Sequence, residues 1–222
     1  MGRPTRIDYP GALQHVWARG ARQKLLFFSP TDYRVYLARL GQAGRRFKWL
    51  VHGYCLIPNH VHLMIETREA TLSEGMKWFH ETYARDFNRV HGYRGHAFQG
   101  RFGSKPIRDA FHEDTAFWYL AMNPVEAGLC RRPEEYAWSS FGAVAGTVPP
   151  ESFVTMTRAH RVLARCPYPP GSNPPLAELL ADGTTASILT AREHGYVLRD
   201  IALHLGMPLS TVHKRLRVNT GV

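Results

Sequence analysis

The feature that most constrains the fold of this chain is the segment of residues 54–65, whose sequence is YCLIPNHVHLMI. Large apolar and β-branched side chains favour strands on both sides of a Pro-Asn pair, and that pair predicts a turn. Side chains along a strand alternate between its faces, so His60 and His62 share one face while Val61 and Leu63 take the other. Two imidazoles on one face form a candidate metal clamp. The alternative is a pair of exposed histidines on a half-buried strand.

A second group of polar residues lies further along the chain, in the aromatic-rich segment 117–129. Helical spacing places Tyr119 and Asn123 on one face, because residues four apart are neighbours on a helix surface. Pro124 disfavours helical geometry in the residue before it, so we expect the helix to fray at Asn123 and leave the amide oxygen free to bind a ligand. Two imidazoles and one amide oxygen suit a hard divalent cation with open positions for water and phosphate oxygens.

Tyr119 would lie beside such a cation, where a phenol can attack a phosphorus atom. The competing interpretation is that Tyr119 fills the core, since aromatic residues surround it in the sequence. Tyr83 is the main rival nucleophile, but it lies among aromatic residues at core spacing and we interpret it as packing. The third metal ligand also stays open, because His112 or Glu113 can reach the site in place of Asn123.

The order of two motifs, H-V-H at residues 60–62 and Y-x-x-x-N-P-V at residues 119–125, resembles that of the HUH single-tyrosine transposases. The resemblance is strongest to the REP-associated tyrosine transposases of bacteria. It covers roughly residues 8–145 of this chain. Further, weaker similarity is carried by V-W-A-R-G at residues 16–20, F-Q-G-R-F at 98–102 and P-E-E-Y-A-W-S-S at 133–140.

This resemblance implies a fold, a reaction and a set of partners. The fold would place the histidines on a central strand, with the tyrosine helix passing over it. The reaction would be nicking and rejoining of single-stranded DNA, in which Tyr119 is catalytic and forms a 5′-phosphotyrosine with release of a 3′-hydroxyl. The cofactor would be Mg²⁺ or Mn²⁺, held by His60, His62 and Asn123. The partner would be hairpin DNA with a possible duplex flank, and the protein would act as a monomer or a homodimer.

The charge of the chain favours a polyanionic partner. It has 28 Lys and Arg against 18 Asp and Glu, a formal net charge of +10. Such a balance attracts nucleic acid, although many soluble proteins are simply basic. Arginine clusters interleaved with aromatic residues favour a surface that tracks phosphates and stacks bases. In this part of the chain the predicted DNA contacts are Arg19, Arg22, Arg101, Lys105 and Arg108.

Cysteine usage and hydropathy bear on the cellular compartment. Three cysteines at wide spacing argue against a disulfide framework and favour a reducing cytoplasm. No apolar run reaches membrane-spanning length, so no membrane partner is expected. The first residues also lack the apolar core of a signal peptide. With the resemblance, these features predict a bacterial cytoplasmic protein associated with the nucleoid.

Alternation and helical periodicity predict the order strand, helix, strand, strand, helix, strand, followed by the tyrosine helix. The two predicted crossover helices span residues 30–43 and 72–90, and the last predicted strand lies near residues 104–107. This order is the ferredoxin-like split βαβ arrangement, an α+β fold in which helices cover one face of an antiparallel sheet.

The composition changes towards the end of the chain. We predict a nuclease domain over residues 1–148, a Pro-rich linker over 149–175 in which residues 153–166 can form one helix, and a small all-α module over 176–222. Residues 198–217 have helix-turn-helix spacing, with Gly206 at the turn. An ordinary helical hairpin used for packing is the alternative. In the DNA-binding interpretation the second helix offers Ser210, Thr211, His213, Lys214 and Arg217 to a major groove.

Two other functions stay open at the level of sequence. The protein can be a domesticated regulator that binds hairpin DNA with little or no cleavage, or a metal-dependent phosphodiesterase that uses water and is indifferent to Tyr119. The intact set of His60, His62, Tyr119 and Asn123 argues against loss of catalysis. A covalent protein–DNA adduct would separate the three functions.

Overall fold

The computed structural model describes residues 8–166, 176–193 and 198–219. The chain divides into two compact units, one ending at Pro169 and the other beginning at Pro170. The first unit is α+β, and the described part of the second is all-α. Among the described residues, no helix is both long and apolar enough to cross a membrane.

The first unit alternates strands and helices before it ends in a run of helices. Its strands are β1 (Ala12–Arg19), β2 (Trp49–Ile57), β3 (His60–Thr67) and β4 (Gly103–Pro106). Its α-helices are α1 (Pro30–Arg46), α2 (Leu72–His91), α3 (Ala110–Glu126), α4 (Phe141–Val144) and α5 (Thr157–Arg165). Short 3-10 helices lie at Ala21–Gln23 and Pro133–Glu135.

The four strands form one sheet in the order β2-β3-β1-β4. Every neighbouring pair is antiparallel, and β3 and β1 occupy the centre. The register pairs Trp17 with His62 and Arg19 with His60, so the histidine strand runs beside the first strand. The predicted α+β, ferredoxin-like order is therefore confirmed, and the histidines lie on a central strand.

Helices α1 and α2 cover one face of this sheet with a large apolar core. Val61, Leu63 and Ile65 of β3 lie in that core and are fully buried. Helix α1 begins at a capping box in which the Asp32 carboxylate accepts hydrogen bonds from the backbone N–H and hydroxyl of Ser29, which satisfies donors that a helix start leaves unpaired. Alternation along β3 therefore buries one set of side chains and leaves the two histidines on the opposite face.

Helix α3 packs on that opposite face, together with α4 and α5. Leu13, Ile57 and Met64 of the sheet lie in one apolar cluster with Phe117 and Leu120 of α3. The prediction that helices cover one face therefore describes α1 and α2 but not α3. The ferredoxin-like pattern accounts for helices that cross between strands, whereas α3 follows the last strand and folds back over the other face.

Two arginines of α5 tie α3 to the sheet. The guanidinium of Arg158 donates to Glu113 of α3 at 2.8 Å and to Glu66 of β3 at 3.0 Å. Arg165 pairs with Glu113 and with Asp114. Both α3 carboxylates are buried, and a buried carboxylate that loses its cation is strongly destabilising. Helix α5 therefore contributes to the structure of the first unit.

Helix α5 lies beyond the domain boundary expected after residue 148, but it packs within the first unit. Ala159 and Val162 of α5 are buried in the cluster under α3, and the division between the two units falls after Pro169. Prolines mark tight turns as readily as extended linkers, and here they precede and follow a packed helix. The rest of the predicted linker, residues 167–175, lies outside the described residues.

Pro124 lies inside α3, which continues to Glu126. The expectation that the helix frays at Asn123 is therefore wrong. The N–H of Ala127 donates to the carbonyl oxygen of Asn123 at 3.0 Å, and Pro124 itself is buried. The preference of a residue before proline for extended geometry is modest, and the packing of α3 on the sheet outweighs it.

The second unit is built from α6 (Leu176–Leu179), α7 (Thr185–Glu193), α8 (Leu198–His204) and α9 (Leu209–Asn219). Gly206, between α8 and α9, has a φ of +62°, a conformation that glycine adopts readily. Val212 and Leu216 of α9 lie in one apolar cluster with Ile201 and Leu205. This packing agrees with the predicted pair of helices, while a function in DNA binding stays a proposal.

Candidate active site

Three histidines from two neighbouring strands meet on the face of the sheet that carries α3. His60 and His62 lie on β3, and His15 lies on β1 opposite Met64, which makes it a diagonal neighbour of His62. The ring centroid of His62 lies 5.2 Å from that of His15 and 5.2 Å from that of His60. Tyr119 of α3 closes the group, with its ring centroid 5.2 Å from His62.

The ring of His60 lies between two side-chain amide oxygens. Its Nε2 is 3.0 Å from Oδ1 of Asn123, and its Nδ1 is 2.8 Å from Oδ1 of Asn59. Burial lowers the pKa of His60, so at neutral pH the ring carries one proton, which cannot serve both oxygens. With the proton on Nδ1, donated to Asn59, the Nε2 lone pair faces the Asn123 oxygen. Two facing lone pairs repel unless positive charge lies between them, so this pair of atoms suits a cation.

Asn123 reaches His60 from a continuous helix. Its side chain is 6% exposed, and its Nδ2 donates to the carbonyl oxygen of Tyr119 at 3.5 Å, one turn earlier in α3. That contact orients the amide so that its oxygen points to the imidazole. Helix α3 thus places Tyr119 and Asn123 on one face, as their four-residue spacing predicted. It holds the Asn123 amide more rigidly than a frayed helix end would.

His15 contacts His62 directly. Its Nε2 lies 3.0 Å from Nδ1 of His62, and the two rings stack with an interplanar angle of 27°. Burial lowers the pKa of His62 to about 3 and that of His15 to about 4, so both rings are neutral at pH 7. His15 was not predicted as a site residue, because a single histidine on a strand has no partner at a recognisable spacing. Alternation places it on the same face as Trp17, and only the pairing register brings it to His62.

The two candidate nucleophiles differ sharply in accessibility. Tyr119 is 44% exposed, so it does not fill the core. Tyr83 is 1% exposed, and its hydroxyl donates to the carbonyl oxygen of Leu26 at 2.5 Å. Burial raises the pKa of Tyr83, which further disfavours a phenolate there. A ligand can therefore reach Tyr119, whereas Tyr83 is enclosed by the core under α1 and α2.

Tyr119 lies between two shallow hollows, and His15 and Lys105 line both of them. The second hollow, of about 260 Å³, extends along α3 past Thr115. The first hollow, of about 230 Å³, is lined by two of the metal-ligand candidates, His60 and His62, and by Trp17, Ala18 and Arg19. Two of the predicted DNA contacts, Arg19 and Lys105, thus bring positive charge to the site.

The other predicted contacts of the first unit lie elsewhere on its surface. Arg22 lines a hollow with the exposed ring of Tyr93. Arg101 lines a hollow beside α2, and Glu81 of α2 lines the same hollow. Arg108 lies just before α3 begins and is exposed. The structure therefore groups Arg19 and Lys105 with the histidines, and it spreads the remaining three over separate surfaces.

On α9 the predicted DNA contacts are partly available. The residues with accessible side chains are Ser210, His213 and Lys214, together with the half-buried Thr211. Arg215 is a further cation of this module, and its guanidinium donates to the carbonyl oxygen of Gly183 at 2.9 Å, within the same unit. The side chain of Arg217 lies outside the described part of the structure.

The two alternative third ligands are engaged in other contacts. His112 pairs with Asp109 at 2.7 Å at the exposed start of α3. Glu113 is buried between Arg158 and Arg165. Across the described ranges, no group of three or more His, Cys, Asp or Glu side chains is arranged to hold a metal ion. The predicted donor set stays two imidazoles and the amide oxygen, a set with the mixed nitrogen and oxygen character that Mg²⁺ or Mn²⁺ can accept beside phosphate and water.

Comparison with known sequences gives one family. The profile of the family described as Transposase IS200 like matches residues 11–123 of this chain. The matched segment runs from the start of β1 to Asn123, so it contains all three histidines of the site and Tyr119. No curated protein sequence matches the chain.

Comparison with solved structures gives the same fold. The structure of the REP-associated tyrosine transposase bound to a REP hairpin matches with a TM-score of 0.55 and 19% sequence identity, over 67% of this chain and 89% of that chain. A provisionally assigned transposase from Deinococcus radiodurans R1 gives a TM-score of 0.37 and 12% identity, over 58% of this chain and 98% of that chain. Only the first similarity is close enough to support the fold.

Proposed function

The chain belongs to the IS200-like transposase family, and we propose that it is a metal-dependent enzyme that cuts and rejoins single-stranded DNA at hairpin sequences. The solved structure with the same fold is bound to a REP hairpin, and we extend that class of DNA to this chain. One observation carries the proposal: an exposed tyrosine on α3 lies 5.2 Å, between ring centroids, from one of two histidines that share a face of β3.

In the proposed reaction the Oη atom of Tyr119 attacks the scissile phosphorus. A bond forms between Oη and phosphorus while the bond from phosphorus to the 3′ oxygen breaks. The phenolic proton leaves to solvent, and the departing 3′ oxygen takes up a proton. The products are a 5′-phosphotyrosine and a free 3′-hydroxyl. Because one phosphodiester replaces another, rejoining is the reverse attack and needs no high-energy cofactor.

Each group of the site has a defined task in this reaction. A bound Mg²⁺ or Mn²⁺ would neutralise the phosphate and stabilise negative charge on the leaving oxygen. His60, His62 and Asn123 would hold that ion through Nε2, Nε2 and Oδ1. The guanidinium of Arg19 and the ammonium of Lys105, which flank the hollow, would bind the phosphates of the strand.

We place this activity in the bacterial cytoplasm, on nucleoid DNA. Cys55, Cys130 and Cys166 lie far apart in the sequence, a spacing that argues against a disulfide framework. Widely spaced cysteines are typical of proteins kept in a reducing compartment.

A labelling experiment tests the reaction and its polarity. A pool of single-stranded hairpin oligonucleotides with randomised unpaired flanks is incubated with the full-length protein and Mn²⁺, and the mixture is denatured in detergent. Attack that yields a 5′-phosphotyrosine leaves the protein on the fragment with the original 3′ end. We therefore expect a 3′-terminal label to migrate with the protein and a 5′-terminal label to be released.

Substitutions at tyrosines of known exposure provide the controls. Tyr119→Phe should abolish the adduct and leave hairpin binding nearly intact, because it removes one oxygen and no packing volume. Tyr9→Phe is the matched control, since Tyr9 is 47% exposed and distant in sequence from the site motifs. Tyr83→Phe should also retain the adduct. Binding without any adduct in the wild type would contradict the proposal in favour of a hairpin-binding regulator, and cleavage that survives Tyr119→Phe would favour a water-using phosphodiesterase.

We further propose that the second unit binds the duplex next to the hairpin. Its support is the accessible side of α9, which presents Ser210, His213 and Lys214 while Val212 packs into the core. A helix that follows a short turn and presents polar and cationic side chains is the arrangement that enters a major groove.

Truncation tests this second proposal. The chain should be truncated after Cys166 rather than near residue 150, because a fragment that ends near residue 150 would lack α5 and its arginines. We expect the fragment of residues 1–166 to cut single-stranded hairpins and to bind duplex-flanked hairpins more weakly. The slope of log affinity against log salt should flatten by about one unit for each phosphate that the fragment no longer neutralises. Lys214→Ala in the full chain should give part of that change, and identical slopes in all three proteins would assign the second unit a packing or partner-binding function.

A further inference from the structure

We propose that His15 is a positioning residue that fixes the ring of His62 with its Nε2 atom free to bind the cation. The proposal rests on the function proposed above, and it assigns a task to a residue that lies outside the H-V-H and Y-x-x-x-N motifs. It concerns an imidazole that touches neither the scissile phosphate nor the cation and that acts through its neighbour.

The position of the proton on His62 decides which of its ring nitrogens can bind a cation. A neutral imidazole has one N–H donor and one lone pair, and a ring that binds a cation through Nε2 must carry its proton on Nδ1. Nδ1 of His62 lies 3.0 Å from Nε2 of His15. If His62 donates this hydrogen bond, its Nε2 lone pair is free. If His15 donated instead, the proton of His62 would occupy Nε2 and exclude the cation.

Neighbouring side chains fix the position of the His15 ring. Its own strand contributes Trp17, with the ring centroid 5.3 Å away, and α3 contributes the edge of Tyr119 at 5.6 Å. The paired strand β4 places Lys105 opposite His15. These contacts hold Nε2 of His15 beside Nδ1 of His62, where it can accept the proton of His62.

The other imidazole of the pair has an equivalent partner. Nδ1 of His60 lies 2.8 Å from Oδ1 of Asn59, which can only accept a hydrogen bond. Each of the two candidate ligands therefore has an acceptor on its Nδ1 side, Asn59 for His60 and His15 for His62. Such outer partners select the tautomer and orientation of metal-binding histidines, and their loss typically costs about 10- to 100-fold in metal affinity or activity.

A direct ligand function for His15 fits the geometry less well. Its Nε2 atom is the one that contacts His62, so binding a cation through that atom would break the contact. Among the described residues, the histidines of the site are not arranged as a three-imidazole metal group. The geometry therefore favours His15 as a support for one ligand.

Two measurements on full-length protein test the proposal without DNA. The first is the side-chain ¹⁵N spectrum of the histidines, with the His62 signals identified by their loss in His62→Gln. We expect His62 to carry its proton on Nδ1 in the wild type. We expect it to move towards the Nε2–H form in His15→Phe, which keeps a planar ring and removes the acceptor.

The second measurement is the affinity for Mn²⁺, from the electron paramagnetic resonance signal of the free ion. His15→Phe should weaken binding about 10- to 100-fold. His15→Gln should recover most of the affinity, because its side-chain oxygen can accept the same hydrogen bond. His80→Phe is the matched control, a buried histidine on α2 stacked on Phe98, and it should leave the affinity unchanged.

The outcomes separate this proposal from the function on which it rests. Wild-type Mn²⁺ affinity in His15→Phe, or an Nε2–H tautomer of His62 in the unsubstituted protein, would overturn it. Equal losses in His15→Gln and His15→Phe would also overturn it, since a packing defect would then explain both. A protein that never cuts DNA, yet binds Mn²⁺ with this pattern of variants, would refute the proposed cleavage and leave the assignment of His15 standing.

Discussion

The two faces of the sheet are built from the same strands and carry opposite kinds of side chain. Under α1 and α2, Leu63 is fully buried in a core of aromatic rings, in which Tyr36 and Phe79 have centroids 4.7 Å apart. Under α3, His62 lies against a second imidazole and an exposed Tyr119. One face supplies the apolar burial that stabilises the sheet, which frees the other face for polar groups. Neighbours in the sequence should therefore respond to substitution in opposite ways.

The largest effect is expected on the polar face. His60→Ala and His62→Ala should each reduce adduct formation about a thousandfold or more, because a correctly held cation supplies several kcal/mol of transition-state stabilisation. Gel assays of the covalent adduct measure the loss, and circular dichroism checks that each variant is folded. Chelation of divalent ions should do the same to the wild type. Undiminished cleavage in EDTA would remove the basis for a metal site.

The opposite response is expected one residue further along β3. Leu63→Ala should lower the free energy of unfolding by about 2–5 kcal/mol, since it leaves a cavity in a fully buried position. Denaturant titration measures the change. The protein that remains folded should still form the adduct. Loss of the adduct with no loss of stability would show that the two faces are not separate in function.

A smaller effect is expected at Asn123, which joins α3 to the polar face. Asn123→Ala should reduce adduct formation about tenfold, because a water molecule can replace one oxygen ligand. Asn123→Asp keeps an oxygen at the same position and should retain more activity at saturating Mn²⁺. Rate measurements over a range of Mn²⁺ concentrations distinguish weaker binding from slower chemistry. A loss as complete as that of His60→Ala would show that Asn123 does more than bind the ion.

The smallest effect concerns a histidine on the apolar side. His80 is buried on α2 with no hydrogen-bond partner for Nε2 among the described residues, and burial lowers its pKa from 6.5 to about 3. Between these values the unfolded chain binds a proton that the folded chain does not, so stability is complete above pH 6.5 and falls as the pH falls towards 3. His80→Phe should reduce the dependence of unfolding free energy on pH by about one proton in this window. Urea titrations at several pH values would show it, and an unchanged slope would mean that His80 titrates normally.

Sequence patterns predicted the parts of this structure that depend on local spacing. Alternation placed His60 and His62 on one face, and the four-residue helical period paired Tyr119 with Asn123. The order of strands and helices predicted the sheet. Each of these follows from the geometry of one element or of neighbouring elements, which a sequence records directly.

Features that depend on tertiary packing were not predicted from the sequence. His15 joins the site only through the register of β1 with β3. The sequence predicted a helix within residues 153–166, but it did not reveal the ion pairs of Arg158 with Glu66 and Glu113, which are distant in the chain. Helix α3 continues through Pro124, because its burial on the sheet outweighs the preference of the residue before a proline for extended geometry. Pairing register and burial are properties of the assembled fold, so spacing could not reveal them.

The turn between β2 and β3 has a consequence for how this chain can vary in length. Surface loops usually accept insertions and deletions, but only Pro58 and Asn59 separate these strands, and His60 follows at once. One added or removed residue would shift β3 by one position against its partners. Since side chains alternate, that shift would send both imidazoles into the apolar core and bring Val61 and Leu63 out beneath α3. Many single replacements can be absorbed here, whereas a change of one residue in length would exchange the two faces completely.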